Sequence, residues 1–217
     1  MNIMTMTRTA CIALLLVSTT NVGLAVEKKP KPAYPLVRMT TNLGIIEIEL
    51  YPAKAPKTVK NFLHYVNNGF YTSTVFHRVI SGFMIQGGGF EPGMRLKPTA
   101  LPINNEADNG LTNLSGSIAM ARTGNPHSAT AQFFINTADN TALNHTGKTP
   151  QGWGYSVFGK VTLGMDIVKA IEATPTGQSG PFADVPVNDV VITRMEVVKP
   201  GKTARKPAQR PAETTVK

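Results

Sequence analysis

A chain of 217 residues, 41% hydrophobic and 16% charged, can bury the core of one globular domain and still leave length for appendages. Nineteen glycines and sixteen prolines, with no repeating period, argue for many turns and so for a β-rich fold over a helical bundle. The formal charge of +9 raises a nucleic-acid or membrane partner, but its placement argues against one: residues 38–198 hold 12 Lys or Arg against 11 Asp or Glu, whereas 199–217 hold 6 basic residues and one acid. Neither terminal segment interleaves aromatics with its basic residues, so base stacking has little to work with and no nucleic-acid partner is expected.

In chain order, residues 1–25 have the layout of a secretory signal: Arg8, the apolar run Ala10 to Val17, then small residues ending Val22-Gly23-Leu24-Ala25, with cleavage expected after Ala25. That run falls well short of the roughly 20 apolar residues that cross a bilayer, so no stable membrane insertion is expected once the signal is gone. Cys11 lies within it and is the only cysteine, which removes disulfides, thiolate metal sites and a cysteine nucleophile from the mature chain. Residues 26–35, with Lys28-Lys29-Pro30-Lys31-Pro32, read as a linker, and 199–217 as a basic disordered tail without apolar periodicity.

Between them, Leu36 to Thr41 and Ile45 to Leu50 flank the turn Thr41-Asn42-Leu43-Gly44 and read as a β-hairpin. Ile46, Ile48 and Leu50 alternate with Glu47 and Glu49, so one face is core and the other wet. Pro56 to Asn67 carries Val59, Phe62, Leu63 and Val66 at helical spacing, with Pro56 in the first turn and Gly69 past the end. Gly164 to Glu172 repeats the helical pattern through Ile167, Val168 and Ile171. Strands are expected at 75–80, 84–86, 117–120, 132–136, 156–161 and 190–198. Eight short strands and two helices fit a mainly β fold, a closed eight-stranded antiparallel barrel with a helix over each end.

The segment Phe76-His77-Arg78-Val79-Ile80-Ser81-Gly82-Phe83-Met84-Ile85-Gln86-Gly87-Gly88 closely resembles the active-site strand pair of cyclophilins. Further matches follow in the family's order at Ser117-Ile118-Ala119-Met120-Ala121-Arg122, Gln132-Phe133-Phe134-Ile135 and Val157-Phe158-Gly159-Lys160-Val161. The resemblance covers residues 36–198 and is nearer the exported bacterial branch, notably at Ala119-Met120-Ala121-Arg122-Thr123. It implies a cyclophilin-type peptidyl-prolyl cis-trans isomerase of the periplasm or secreted fraction, monomeric and without cofactor or metal. Its substrates would be proline-containing polypeptides, bound in a groove on the outside of the barrel. The family's positions carry over to Arg78, Gln86 and Phe83 as catalytic and to Met84, Ala121, Arg122, Phe134, Leu143 and Tyr155 as substrate-binding. Ala142 stands where many members place a tryptophan, and Tyr155 where many have histidine, so strong cyclosporin binding is not expected.

These residue types suit the chemistry. Rotation about an X-Pro bond meets a barrier of about 18–20 kcal/mol because it breaks amide resonance. No bond is made or lost, so the catalyst must bind the twisted amide better than either planar isomer. Twisting localises a lone pair on the prolyl nitrogen, and a guanidinium such as that of Arg78 can donate to it. An apolar wall of Phe83, Met84, Phe134 and Leu143 favours the less dipolar twisted form. Gln86 is expected to orient Arg78 or hold a substrate carbonyl. A peptide-binding module or holdase using the same groove is the alternative, and would need the wall but not the donor.

Other features carry less. Gly87-Gly88-Gly89 lacks the Lys and Ser or Thr of a phosphate loop and reads as a turn. His64, His77, His127 and His145 show no ligand spacing. Ser81 lacks the glycine elbow of a hydrolase. Asn113-Leu114-Ser115 and Asn144-His145-Thr146 match the glycosylation acceptor pattern.

Overall fold

Alternating apolar and polar side chains set the first hairpin, in which β1 (Leu36–Thr41) pairs with β2 (Gly44–Leu50) from Leu36 opposite Glu49 to Thr41 opposite Gly44. Ile46, Ile48 and Leu50 are fully buried, while Arg38 donates to Glu47 at 2.7 Å on the other face. The Thr41 hydroxyl closes the turn by accepting from the Leu43 and Gly44 amides. The computed structural model describes residues 34–198, so the expected signal at 1–25, most of the linker at 26–35 and the tail at 199–217 lie outside the described residues.

Helix α1 (Pro56–Asn67) buries Val59, Phe62 and Val66 as expected, with Tyr65 buried in place of Leu63, which is only partly covered. Its first turn has no capping side chain of its own. The Glu106 carboxylate reaches across instead and accepts from the Lys57 and Thr58 amides at 3.1 and 2.8 Å, satisfying groups that every helix leaves open.

The remaining elements are β3 (Thr74–Ile80), β4 (Met84–Glu91), β5 (Arg95–Leu96), β6 (Ser117–Met120), β7 (Phe133–Asn136), β8 (Val157–Leu163), α2 (Met165–Glu172), β9 (Thr176–Ser179), β10 (Phe182–Pro186) and β11 (Val191–Val198). Neighbouring strands run β3-β11-β1-β2-β8-β6-β7-β4, all antiparallel, and the pairing of β3 with β4 closes the ring. This is the expected eight-stranded barrel. The two-residue strand β5 adds to the edge of β4, and β9 and β10 make a separate hairpin. Helix α1 leaves from the Leu50 end of β2, whereas α2 follows Leu163, which pairs with Glu47 nearer the other end of that strand.

The barrel is packed solid. Phe62, Tyr71, Phe76, Phe133 and Phe158 are among its largest fully buried side chains, with ring centroids 5.1–5.8 Å apart for Phe62–Phe158, Tyr71–Phe133 and Phe62–Phe133. The Tyr71 hydroxyl donates to the Ala131 carbonyl at 2.8 Å, so its polar end is not wasted inside. Gly87-Gly88-Gly89 is a correction to the turn expected there, because it lies within β4. Val75 pairs with Phe90 and Phe76 with Gly87, leaving Gly88 and Gly89 as an irregularity in the strand. Gly88 has φ +80°, and a Cβ there would come within 2.7 Å of Phe133 and 2.8 Å of Tyr71. Gly87 and Gly88 keep the strand thin where the aromatic core presses on it, and Gly89 does so where the Gln132 side chain crosses.

Candidate active site

The outer face of the barrel carries a second, smaller apolar cluster. Period-two alternation builds it: Ile85, Ile118, Met120, Phe133 and Ile135 point into the core, and their chain neighbours Met84, Ala119 and Phe134 pack outside with Val157. Register then draws a line across four strands, Arg78 opposite Gln86, Gln86 opposite Phe134, Phe134 opposite Ala119. A bulge makes this line possible. Phe76 pairs with Gly87 and Arg78 with Gln86, so His77 is the extra residue that keeps Arg78 on the outer face while Phe76 stays in the core.

One cavity of about 120 Å³ opens on this line, lined by Arg78, Phe83, Met84, Gln86, Ala121, Arg122, Phe134, Leu143 and Tyr155. All nine residues expected from the sequence meet there. Met84 and Phe134 form a buried floor, and Phe83, Ala121, Leu143 and Tyr155 pack half-buried against it. The Tyr155 ring meets Phe134 edge-on at 5.5 Å between centroids. Arg122 stacks over Tyr155 at 4.6 Å, and donates from Nε to the Gly154 carbonyl and from a terminal nitrogen to the Thr123 carbonyl, both at 2.9 Å. Its charge is thus engaged in holding the far wall.

Arg78 sits at the opposite rim, with 43% of its side chain exposed and Nε 3.7 Å from the Asp184 carboxylate on β10. Gln86 does not serve it directly: its amide donates to the Gln132 side-chain oxygen at 3.0 Å. That contact leaves Gln86 free of Arg78, and the group that stands beside the guanidinium is Asp184, whose backbone has φ +60°. His77, one residue before Arg78, is buried, and burial holds its imidazole down at about 4, with the Arg78 charge acting in the same direction. It is neutral at physiological pH.

A buried amide network supports the groove from behind. Asn113 donates to the Leu143 carbonyl at 3.1 Å and to Asn144 Oδ1 at 3.2 Å, and accepts from Asn136. Asn136 Oδ1 accepts from Asn140, whose amide also donates to the Phe83 carbonyl at 2.8 Å. Two wall residues, Phe83 and Leu143, are tied to one polar chain. Asn113 is fully buried, which removes it as a glycosylation acceptor in the folded protein and corrects that pattern match. Sequence reasoning missed this network, because scattered asparagines carry no period. It also missed Gln132 and Asp184. Alternation with Phe134 could have flagged Gln132, whereas nothing around Asp184 alternates.

Ala142 lies exposed on the short 3-10 turn Thr141–Leu143 and does not line the cavity. Trp153 packs instead between His127 and His145, at 4.9 and 5.4 Å. Among the described residues no three His, Cys, Asp or Glu side chains gather as metal ligands. The site thus offers a guanidinium donor beside an apolar cleft the size of a small ring.

The family described as "Cyclophilin type peptidyl-prolyl cis-trans isomerase/CLD" matches residues 36–197. The chain is 60% identical over 162 residues to the peptidyl-prolyl cis-trans isomerase cyp18 of Streptomyces antibioticus, covering 75% of this chain and 98% of that protein. It is 59% identical over 162 residues to peptidyl-prolyl cis-trans isomerase B of Escherichia coli K12, covering 75% and 99%. Among solved structures, a cyclophilin-type isomerase of Cryptosporidium parvum crystallised in the presence of the dipeptide Ala-Pro matches with a TM-score of 0.62 and 29% identity, over 76% of this chain and 99% of that one.

Proposed function

The chain belongs to the cyclophilin-type peptidyl-prolyl cis-trans isomerases and is an enzyme of that type, and from that premise we propose how its groove performs the reaction and on which polypeptides. The observation that carries the proposal is the line Arg78, Gln86, Phe134 across adjacent strands, which puts a cation at one rim of a buried aromatic floor. A proline ring sits on Met84 and Phe134 between Phe83 and Leu143. The X-Pro amide then lies beside the Arg78 guanidinium, which donates to the prolyl nitrogen as that nitrogen becomes pyramidal and basic.

The donor and the floor act on different features of the same transition state. A charge-assisted hydrogen bond contributes about 1.5–3 kcal/mol net, roughly ten- to a hundredfold in rate. The apolar floor adds to this by favouring the less dipolar twisted amide over the planar forms, and the fixed strand geometry avoids reorganisation during the twist. Asp184 restrains Nε of Arg78 and leaves its terminal nitrogens for the substrate. The holdase alternative is not favoured, since a pure binder would need the floor without the donor.

The substrates are polypeptides after export, a reading supported by the signal pattern at residues 1–25 and tested by the N-terminal sequence of the chain recovered from the periplasmic fraction. Cyclosporin binds weakly, because Ala142, which does not reach the cavity, stands where many members of the family place a tryptophan.

The decisive experiment is a protease-coupled assay on an X-Pro peptide with residues 26–217. Arg78→Ala should lower kcat/KM by roughly ten- to a hundredfold with little change in thermal stability, because the side chain is half exposed. Undiminished turnover in Arg78→Ala would overturn the assignment of Arg78.

A further inference from the structure

Arg78 lines two cavities. On its other side lies a second one of about 400 Å³, bounded by His77, Phe90 and Gln132 on the barrel and by Pro181, Phe182, Ala183 and Asp184 on the β9–β10 hairpin. We propose that this cavity is a side-chain subsite for an aromatic residue of the substrate, within about four residues of the proline.

The chemistry of the walls selects that class. Phe182 is 37% exposed, a large ring that a folded protein ordinarily covers. It meets Phe90 edge-on at 5.3 Å and 69°, and Phe90 in turn meets His77 at 4.6 Å. An incoming ring extends that array of ring contacts. The rim charges do not favour either sign of ligand, because Arg78 and Asp184 stand against each other at 3.7 Å. The floor is uncharged, Gln132 being hydrogen-bonded to Gln86 and the buried imidazole neutral. With more than three times the volume of the proline cleft, the cavity fits a larger group than a pyrrolidine ring.

Continuity with the groove sets the distance. The two cavities adjoin through Arg78 and the Gln86–Gln132 hydrogen bond, and along β4 the step from Gln86, at the proline cleft, to Phe90, in the second cavity, is four residues, at most about 13 Å because the irregularity at Gly88 and Gly89 shortens it. An extended substrate covers that span in about four residues. The hairpin thus becomes one wall of an extended binding surface, with Asp184 aiming Arg78 and Phe182 two residues earlier facing the next substrate side chain but one or further out.

This inference rests on the isomerase reading of the groove, and the test separates the two. Exchange NMR would measure kcat/KM for an Ala-rich X-Pro peptide and for versions with Phe placed two, three or four residues from the proline on either side. For the mature chain, the Phe-to-Ala ratio should reach at least about threefold at one of these positions. The ratio should fall to about one in Phe182→Ala and persist in Phe182→Trp. A ratio below threefold everywhere, or one that survives Phe182→Ala, overturns the subsite. Loss of Arg78 dependence on the all-Ala peptide would instead overturn the assignment of Arg78 in the groove, whatever the Phe scan shows.

Discussion

Asn113 offers a test of how the groove is held, because it is fully buried and bonds to backbone and side chains behind Leu143 and Tyr155. Replacing it with alanine deletes both side-chain N–H donations, to Leu143 O and Asn144 Oδ1, with a longer 3.4 Å contact to the Tyr155 carbonyl that shares those hydrogens, and one acceptance from Asn136. Most partners keep a second bond: Leu143 O still accepts from the Tyr155 amide, Asn144 Oδ1 from the Asn113 amide, and Asn136 still donates to Ser117. At about 0.5–1.5 kcal/mol for each of these three bonds, Asn113→Ala should cost roughly 1.5–4.5 kcal/mol. Aspartate is the sharper perturbation. It keeps the acceptor for Asn136 but points a second oxygen at the Leu143 carbonyl 3.1 Å away, so its folded-state pKa must rise above the ordinary value near 3.9.

The sign follows from linkage. With a raised folded pKa, the native state binds more protons than the unfolded one between about pH 4 and that raised value, so the deficit of Asn113→Asp grows as pH rises through this window and is level above it. Urea midpoints of both variants at pH 7.5 and 4.5 would measure this, with kcat/KM alongside. Asn113→Asp should be the less stable at pH 7.5 and should gain on Asn113→Ala at pH 4.5. Both should lose turnover as the Leu143 wall loosens. An Asn113→Asp deficit that is absent at pH 7.5, or that does not change with pH, would refute the assigned hydrogen-bond roles.

Two further outcomes follow from the same geometry. Glu172 on α2 is penalised by burial, yet hydrogen bonds from Lys169 and the Gly82 amide hold its carboxyl below the usual range; the stability it contributes is present above the unfolded carboxylate pKa and is lost as pH falls through the depressed value, so Glu172→Gln should flatten that acid limb in urea titrations. Gly88→Ala should be destabilised by several kcal/mol in thermal unfolding, because its φ is +80° and the new methyl would meet Phe133 and Tyr71 inside the barrel.

The barrel was legible in the sequence wherever one side of a strand is buried. Ile46, Ile48 and Leu50 alternate cleanly and their hairpin was placed to the residue, apart from one position at Gly44. Helix α1 carried Pro56, an apolar stripe and a glycine stop, and its bounds agree. Strand β4 was read too short, because Gly87-Gly88-Gly89 has no side chains to show a period; Gly87 and Gly88 leave room for the rings of Phe76, Phe133 and Tyr71, and Gly89 for the Gln132 side chain. The hairpin of β9 and β10 was missed for a related reason: most of its residues are exposed, so burial imposes no pattern on Thr176 to Ser179. The nine groove residues were found through resemblance and not through period, since Phe134 alternates with core neighbours and looks like a core residue until register shows which side it takes.

Register has a consequence for how such an enzyme diversifies. Each residue of the outer apolar cluster on β4, β6 and β7 is one peptide bond from a residue locked inside the barrel, Met84 beside Ile85, Ala119 beside Ile118, Phe134 beside Phe133 and Ile135. Substitution of a wall side chain can change what is recognised while the backbone beneath it stays fixed by its inward neighbour. A single-residue insertion in these strands would do the reverse, turning wall into core along the whole segment. Point changes are therefore the open route to new specificity on this surface, and changes of length are confined to its connecting loops.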